Sequence, residues 1–508
     1  MSKTNSRKAK QSSASTGSQG GMVEGGQVEK TFPRVCPEWE RRALLVVLAL
    51  VALVEINAVF HRGVIGQDFE LHANIMLAGA RDMRTLLNFE HPDPPLLYAI
   101  GAWILRVTRG IHALEIMGLL HVVVSLFTLV LLHRLAQPII QRPLLRLAFV
   151  VLVGFLPVYL IHGVVIAGDG WSCFFFAAIL LVLRNVPLAS TPVRRHASAA
   201  AVGGLLILGA LFKYTFVSTI LAAALWLVQM ARRKTSGWKT VVVWILPAVV
   251  VPLIFWAVQI HMHKDFTDRL GVGFRLANAM NLRSLLFLRT ADWHVLDAPA
   301  YTERLSYDGV PPTEMEFGGV KVPIYLQELL FPNRYSYPAL LHLGIFTDLL
   351  NIFQYDPSYS APGIPIMPPR PARSAINQAR MALAVKTAVP LSLISLLAVI
   401  GWVLSYLKRG LWRPGEWSAD VELILVPSLA WFANIVIFFP FIPHVYNGGY
   451  WLPRLILPAI TGFCALAVAA LDRVTTRWRL GALPYLFTAY VLLQSALHVS
   501  FLWPWVNL

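Results

Sequence analysis

Charge and cysteine are what this chain has least of. Only 14% of its 508 residues are charged while 56% are hydrophobic. The mean hydropathy of +0.60 excludes an ordinary soluble globular domain. Of the three cysteines, Cys36 precedes the first apolar run, and Cys173 and Cys464 fall inside later ones. No pair is placed for a disulfide on an exposed side, and no spacing reads as a zinc finger. The first apolar run has no Ala-x-Ala-like cleavage site, which makes it a retained signal anchor. No internal repeat suggests the inverted halves of a transporter.

Acidic residues are scarce too, 27 against 43 Lys and Arg, for a net charge of +16. On a soluble chain that excess would point to nucleic acid. Here the basic residues recur in alternate short loops: Arg41 and Arg42, Arg134 and Arg142, Arg194 and Arg195, Arg232 to Lys234, Lys408 to Arg413, and Arg473 to Arg479. Short basic loops stay cytoplasmic, so the pattern reads as membrane topology with no nucleic-acid partner. It predicts a cytoplasmic N-terminus and an Asp68 loop on the outer side.

What is abundant is apolar sequence in lengths that cross roughly 30 Å of hydrocarbon as helix. Segments at 43–60, 112–133, 146–163, 168–186, 199–212, 214–231, 239–260, 384–406, 421–442, 454–471 and 482–502 predict an all-α polytopic membrane protein of about 11 crossings. Residues 1–42 read as a disordered basic cytoplasmic tail. Residues 43–260 read as an N-terminal transmembrane module whose outer loops are candidates for a site, and 384–508 as a C-terminal transmembrane module. Between them, 261–383 holds much of the remaining charge, with Pro311-Pro312, Pro332 and a proline-rich run. It reads as a large extracytoplasmic loop or subdomain, partly helical in Leu282–Leu288, Ile324–Phe331 and Leu340–Phe353. The spans read as nearly free of charge, with the acids gathered at their outer ends.

The first outer loop carries Gly66-Gln67-Asp68-Phe69-Glu70-Leu71-His72 and, about twenty residues on, Phe89-Glu90-His91-Pro92-Asp93-Pro94-Pro95-Leu96-Leu97-Tyr98. A helix over 68–80 sets Asp68 and His72 on one face and Glu70 and Asn74 on another. The prolines forbid helix until Leu96. Glu70 and Asp82 read as solvated loop acids. Asp169, between Gly168 and Gly170, either caps a helix whose first turn is Gly170–Cys173 or is functional, as ionisable groups at membrane depth tend to be.

This arrangement resembles the GT-C glycosyltransferases, in particular the bacterial branch of protein O-mannosyltransferase-like enzymes and lipid A aminoarabinose transferases. The likeness rests on Asp68, Glu90-His91-Pro92 and Pro94 to Tyr98, with Gly168-Asp169-Gly170-Trp171 as a second outer-loop acid and Phe212-Lys213-Tyr214-Thr215 between close spans. It covers 43–260 well and the remainder only in layout. The chain departs from the family pattern in having Phe69 between its two acids, and His91, Pro92 and Asp93 where a lysine often precedes the proline pair.

The resemblance implies a GT-C-like bundle in the bacterial inner membrane, active on its extracytoplasmic face. It implies transfer of a sugar, with inversion, from a polyprenyl-phosphate donor in the membrane lipid to an acceptor. Such chemistry needs a base for the acceptor hydroxyl and cations for the departing phosphate. Asp68 is the expected base, with Asp169 orienting acceptor or base and Glu70 beside them. Lys213 and Arg454 are the expected phosphate-binding cations, each unpaired inside the core, and His91, Tyr98 and Tyr450 the remaining substrate contacts. Lys213 otherwise snorkels, and Tyr450 with Trp451 otherwise belongs to the aromatic belt. Glu90 or His91 with His261 or His263 offers donors for a divalent metal ion. The competing readings are a transporter or flippase of a lipid-linked substrate, which requires charge buried in mid-span, and a scaffold whose outer loop binds partners.

Overall fold

The computed structural model describes residues 36–61, 69–86, 94–187, 189, 191–213, 216–233, 238–262, 314–317, 320–323, 337–347, 375–410, 417–438 and 452–503. From Cys36 onward they belong to one compact unit. The helices are α1 (Glu38–Phe60), α2 (Phe69–Arg81), α3 (Leu96–Thr108), α4 (Ala113–Ala136), α5 (Pro143–Gly154), α6 (Pro157–His162), α7 (Gly168–Asn185), α8 (Pro192–Phe212), α9 (Val217–Arg232) and α10 (Trp238–Met262). They continue as α11 (Tyr337–Phe346), α12 (Ala375–Ser405), α13 (Ala419–Phe438), α14 (Leu452–Leu455), α15 (Leu457–Arg477) and α16 (Leu483–Leu502).

Prolines punctuate this order. Pro143, Pro157, Pro192, Pro458 and Pro484 occupy the first turns of α5, α6, α8, α15 and α16, where the missing N–H costs nothing. Pro95 stands at the N-cap of α3, so that helix begins at Leu96 as the proline run requires. It ends on Arg109 and Gly110 at φ 53° and 81°, with the Gly110 N–H donating 3.0 Å to the Leu105 carbonyl. Glycine suits that left-handed position because a side chain there would be strained.

Seven described helices are long and apolar enough to cross a bilayer: Glu38–Phe60, Ala113–Ala136, Pro192–Phe212, Trp238–Phe255, Ala379–Gly410, Leu457–Arg477 and Leu483–Leu502. The chain is therefore an integral multi-pass membrane protein, its described residues almost wholly α-helical. Helices overlie all the segments predicted to cross, in whole or in part, with 146–163 divided between α5 and α6 at Leu156-Pro157. α15 is the most deeply buried of the seven and α12 the least. Neighbouring packing includes α4 on α7, α7 on α8, α8 on α10, α9 on α13, α13 on α15, and α16 on both α5 and α12.

Within 261–383 the described residues hold a strand pair and one whole helix. Strands Glu314–Phe317 (β1) and Val320–Pro323 (β2) pair antiparallel, with Phe317 opposite Val320. That register leaves only Gly318 and Gly319 between them, the composition of a tight hairpin. Helix α12 begins at Ala375, nine residues (384 − 375) before the predicted crossing segment. Within Leu340–Phe353 the helix is α11, and Leu282–Leu288 and Ile324–Phe331 lie outside the described residues. The 1–42 tail is described only from Cys36.

Besides the outer-end acids of the sequence reading, acids also gather, most of them buried, at the opposite ends of the helices. Glu40 is fully buried near the start of α1. Arg146 of α5 grips it with Nε to Oε1 and Nη2 to Oε2, both at 2.6 Å, and His133 Nε2 of α4 donates to Oε1 at 2.9 Å. At the same end of the bundle, Asp472 accepts from the Gln141 N–H at 2.5 Å and faces Arg142 at 3.6 Å. Arg184 pairs with Asp420 at 2.8 Å. Arg233 pairs with Glu422, which also accepts from Tyr406 at 3.0 Å. These contacts join the C-terminal ends of α4, α7, α9 and α15 to the N-terminal ends of α1, α5 and α13. They define a basic end, in which several loop arginines are structural partners.

At the other end α11 docks on α12. His342 Nε2 donates to the Val385 carbonyl at 3.1 Å, and Nδ1 accepts from the Ser392 hydroxyl at 2.8 Å. Burial depresses the His342 pKa below 6.5, against the raising effect of the Val385 hydrogen bond. A depressed imidazole pKa contributes stability fully present above the unfolded value of 6.5 and lost as pH falls below it. Hydrogen exchange over 337–346 should accelerate as pH drops from neutral into that acid range, after correction for intrinsic rates. His342→Gln should remove the dependence.

Truncating one partner of a buried ion pair leaves the other unanswered and costs about 3–5 kcal/mol. Arg146→Met should therefore lower the unfolding temperature in detergent sharply, and adding Glu40→Met should restore part of the loss. Equal melting of the single and double variants would show that Glu40 does not depend on Arg146.

Candidate functional site

The candidate site lies at the end of the bundle away from the basic end, where α6, α7, α8 and α14 meet. It is centred on Asp169, buried to 2% exposure in the first turn of α7. That helix begins at Gly168 with Ala167 as its N-cap, and no side chain caps it. Asp169 is therefore not the cap that one reading of the sequence made it, although its charge suits the positive end of the helix.

The glycines on either side of Asp169 serve approach more than turning. A Cβ on Gly168 would lie 3.0 Å from the Phe212 carbonyl oxygen and 3.2 Å from Lys213 Cδ. One on Gly170 would press into the His162 carbonyl. Neither glycine has a positive φ. Without side chains there, α7 can touch both the end of α6 and the end of α8.

Lys213 is the C-cap of α8, with an extended backbone at φ −160° and its N–H bonded 3.1 Å to the Gly209 carbonyl. The extended residue turns the side chain inward, and Nζ donates to Asp169 Oδ1. On the other oxygen, Oδ2, Arg454 Nε of α14 and His162 Nδ1 of α6 each stand at 4.0 Å. Arg454 is 7% exposed and His162 5%. Neither Asp169 Oδ2 nor His162 Nδ1 has a hydrogen-bond partner among the described residues.

The expectation that Lys213 and Arg454 stand unpaired in the core is thereby corrected. Lys213 neither snorkels nor waits free, and Arg454 is packed beside the same carboxylate. Hydrocarbon and protein leave no water to hold two cations, so an anion has to. The sequence singled out all three residues without showing that they are one cluster.

An aromatic wall backs the cluster. Trp171 stacks on Phe212 with ring centroids 4.4 Å apart and meets Phe175 and Phe174. Its Nε1 donates 3.2 Å to His121 Nε2, while His121 Nδ1 donates 2.9 Å to the Met117 carbonyl, which fixes the imidazole tautomer. Two longer tethers hold the frame. Trp431 Nε1 donates 2.8 Å to the Leu455 carbonyl of α14. His498 of α16 donates 2.8 Å to Phe155, whose carbonyl lies at the break between α5 and α6.

The first outer loop is described in part. α2 covers most of the helix expected over 68–80, and it packs against α3. His72 Nδ1 and the Tyr98 hydroxyl lie 2.8 Å apart, with Tyr98 buried. Its hydroxyl is thus held between the two helices. Asp82 is exposed and accepts from the Arg84 N–H at 3.0 Å, the local role of a loop acid. Asp68, the Glu70 side chain, Glu90, His91, His263 and Tyr450 lie outside the described residues.

For a metal, His261 is the described member of the expected set, exposed at the end of α10. Donors of metal-binding type come together instead at Cys36, Glu40 and His133. There Arg146 already bonds both Glu40 oxygens, so the carboxylate is committed. Asp169, between two cations, is no better suited to a divalent ion.

Sequence reasoning missed Glu55, His121 and His162. Each is an ionisable residue inside a predicted crossing segment, and that alone was the signal. Glu55, fully buried in α1, accepts from Ser125 Oγ of α4 at 2.7 Å. No protein-family model matches the chain, and no curated protein matches it. Its activity is therefore argued from its own residues.

Lys213→Met should strand Asp169 and lower stability by about 3–5 kcal/mol, as for other broken buried pairs. Asp169→Asn in the same chain should recover part of that loss. Thermal unfolding of the two variants measures the coupling, and additive effects would mean that Asp169 and Lys213 do not interact.

Proposed function

We propose that this protein is a membrane glycosyltransferase of the GT-C type, moving a sugar from a polyprenyl-phosphate donor to an acceptor hydroxyl. The observation that carries the reading is the meeting of Asp169, Lys213 and Arg454 at one end of the bundle. Two cations about one carboxylate leave net positive charge in a water-poor site, which suits a phosphate whose charge grows as its bond to the sugar breaks. Asp169 then positions the cations, a role that replaces the expected one of orienting the acceptor. Asp68, from the loop joining α1 to α2, serves as base in a single inverting displacement, with Glu70 as its solvated neighbour. Tyr450 and His91 complete the acceptor and donor contacts.

The same reading gives eleven crossings, with the basic end cytoplasmic and the Asp169 end extracytoplasmic in a bacterial inner membrane. Lys and Arg in the short loops at the ends of α4, α7, α9 and α12 support that orientation. A second reading, a transporter or flippase of a lipid-linked substrate, is favoured by Glu55, an ionisable side chain fully buried within a span.

Purified protein given a panel of radiolabelled polyprenyl-phosphate sugars should release or transfer sugar from one of them. Asp68→Asn should reduce turnover by about 10² or more, the scale of general-base catalysis, while Glu70→Gln loses less. Wild-type turnover in Asp68→Asn would remove Asp68 as the base. Movement of labelled lipid across vesicles without sugar release would favour the transporter. Ser306→Cys should be labelled only from the extracytoplasmic side, and labelling only from the cytoplasm would invert the orientation.

A further inference from the structure

The described residues include four buried histidines. Three of them commit their rings to the fold: His121 to Met117 and Trp171, His133 to Glu40, and His498 to Phe155 and Gln494. His162 differs. Its Nδ1 has no hydrogen-bond partner among the described residues, and it stands 4.0 Å from Asp169 Oδ2, which has none either. A buried polar atom left unpaired costs stability, so a fold that keeps one calls for a reason.

The two atoms are too far apart for a hydrogen bond and close enough to make one after a small shift. The Asp169 carboxylate can only accept, so that bond needs a proton on Nδ1. At rest the imidazole lies out of water near two cations, Lys213 and Arg454, which disfavour a third. A new negative charge beside the cluster reverses that balance.

On the glycosyltransferase reading such a charge arrives with every turnover. The donor is a phosphate diester with one negative charge, and the lipid product is a monoester with two. Whatever the charge of the resting site, it has one more negative charge to answer after transfer than before. Lys213 and Arg454 are charged already, and protonating Asp169 would remove the carboxylate that holds them. His162 is the member of the cluster that can gain a positive charge.

We propose, resting on that reading, that His162 takes up one proton when the phosphate in the site is a monoester, and that its Nδ1–H then closes on Asp169 Oδ2. One solvent proton adds to the free lone pair of the neutral imidazole, and no other bond breaks. The positive charge gained equals the negative charge added. Loss of that proton leaves the monoester unanswered again and favours its release.

Helix α6 packs on α1, α5, α7, α11 and α14. Besides the cluster, the titratable groups these elements bring toward His162 are Cys173 of α7, Glu55 of α1 and His342 of α11. Glu55 is bonded to Ser125 and lies against Gly163, and His342 is held by Val385 and Ser392. Tyr159 of α6 itself donates to the Ser125 carbonyl at 2.8 Å, and His121 of α4 lines a small cavity with His162. The charged residue of α5 is Arg146, bound to Glu40 at the opposite end.

Calorimetry of the purified full-length protein in a non-ionic detergent tests this, with geranylgeranyl monophosphate and its methyl phosphodiester as probes. At a pH near 8 the free monophosphate is already doubly charged, its second pKa being about 6. Binding heats in two buffers of different ionisation enthalpy then count the protons taken up. The wild type should take up about one proton per monophosphate bound and none with the diester. His162→Gln should still bind the diester, take up no proton with either probe, and bind the monophosphate several-fold more weakly. Where that variant does not fold, 15N spectra of the histidine-labelled wild type should show one imidazole becoming imidazolium with the monophosphate alone. No uptake with the monophosphate, equal uptake with both probes, wild-type uptake in His162→Gln, or no new imidazolium signal would overturn the proposal and leave the glycosyltransferase reading standing. Binding of neither probe would overturn both.

Discussion

A charge inside a membrane bundle has to be met by another charge or lose its own, and the architecture here follows from that constraint. At the basic end Glu40, Asp472, Asp420 and Glu422 each face an arginine from a different helix. At the far end Asp169 is met by Lys213 and Arg454. Apolar packing alone distinguishes poorly between one helix neighbour and another when the surroundings are equally apolar. The ion pairs discriminate, because a wrong neighbour would leave a charge unanswered.

The two ends use the same chemistry toward different results. Around Glu40 the carboxylate is fully engaged: Arg146 bonds both oxygens, and its Nη1 reaches the Ile140 and Gln141 carbonyls at 3.1 and 2.9 Å. Such a network is closed and has nothing left to offer a ligand. Around Asp169 one oxygen is taken by Lys213, while the other stands 4.0 Å from both His162 and Arg454. An incomplete cluster is a worse fastening and a better candidate site, which separates the proposed functional end from the structural one.

The helices were legible because membrane-length apolar runs and first-turn prolines are local signals. Leu96 after Pro94-Pro95 is an example, as is Pro192 after the Thr191 cap, whose side chain accepts from the Arg194 N–H at 3.3 Å. Asp169, Lys213 and Arg454 were also legible one by one, as charges out of keeping with their surroundings. Their partnership was not. Asp169 and Lys213 meet because Gly168 lets the end of α8 approach α7, as Gly170 lets α6 do, a property of packing distance that no spacing along the chain encodes. Glu55 was hidden for the opposite reason: one acid within a long apolar run barely changes its average.

The helix break after Phe155 has a consequence for the order in which the molecule can be completed during synthesis. Its carbonyl, released from α-helical bonding, is answered by His498, 343 positions later in the chain. Arg454 likewise arrives long after Asp169 and Lys213. A nascent chain that has inserted its first ten helices holds an acid with one of its two cations and a bent helix with an unanswered carbonyl. The last two membrane-length helices, α15 and α16, and the short α14 before them therefore close an assembly that the first half begins. The cluster is complete only once Arg454 of α14 has joined Asp169 and Lys213.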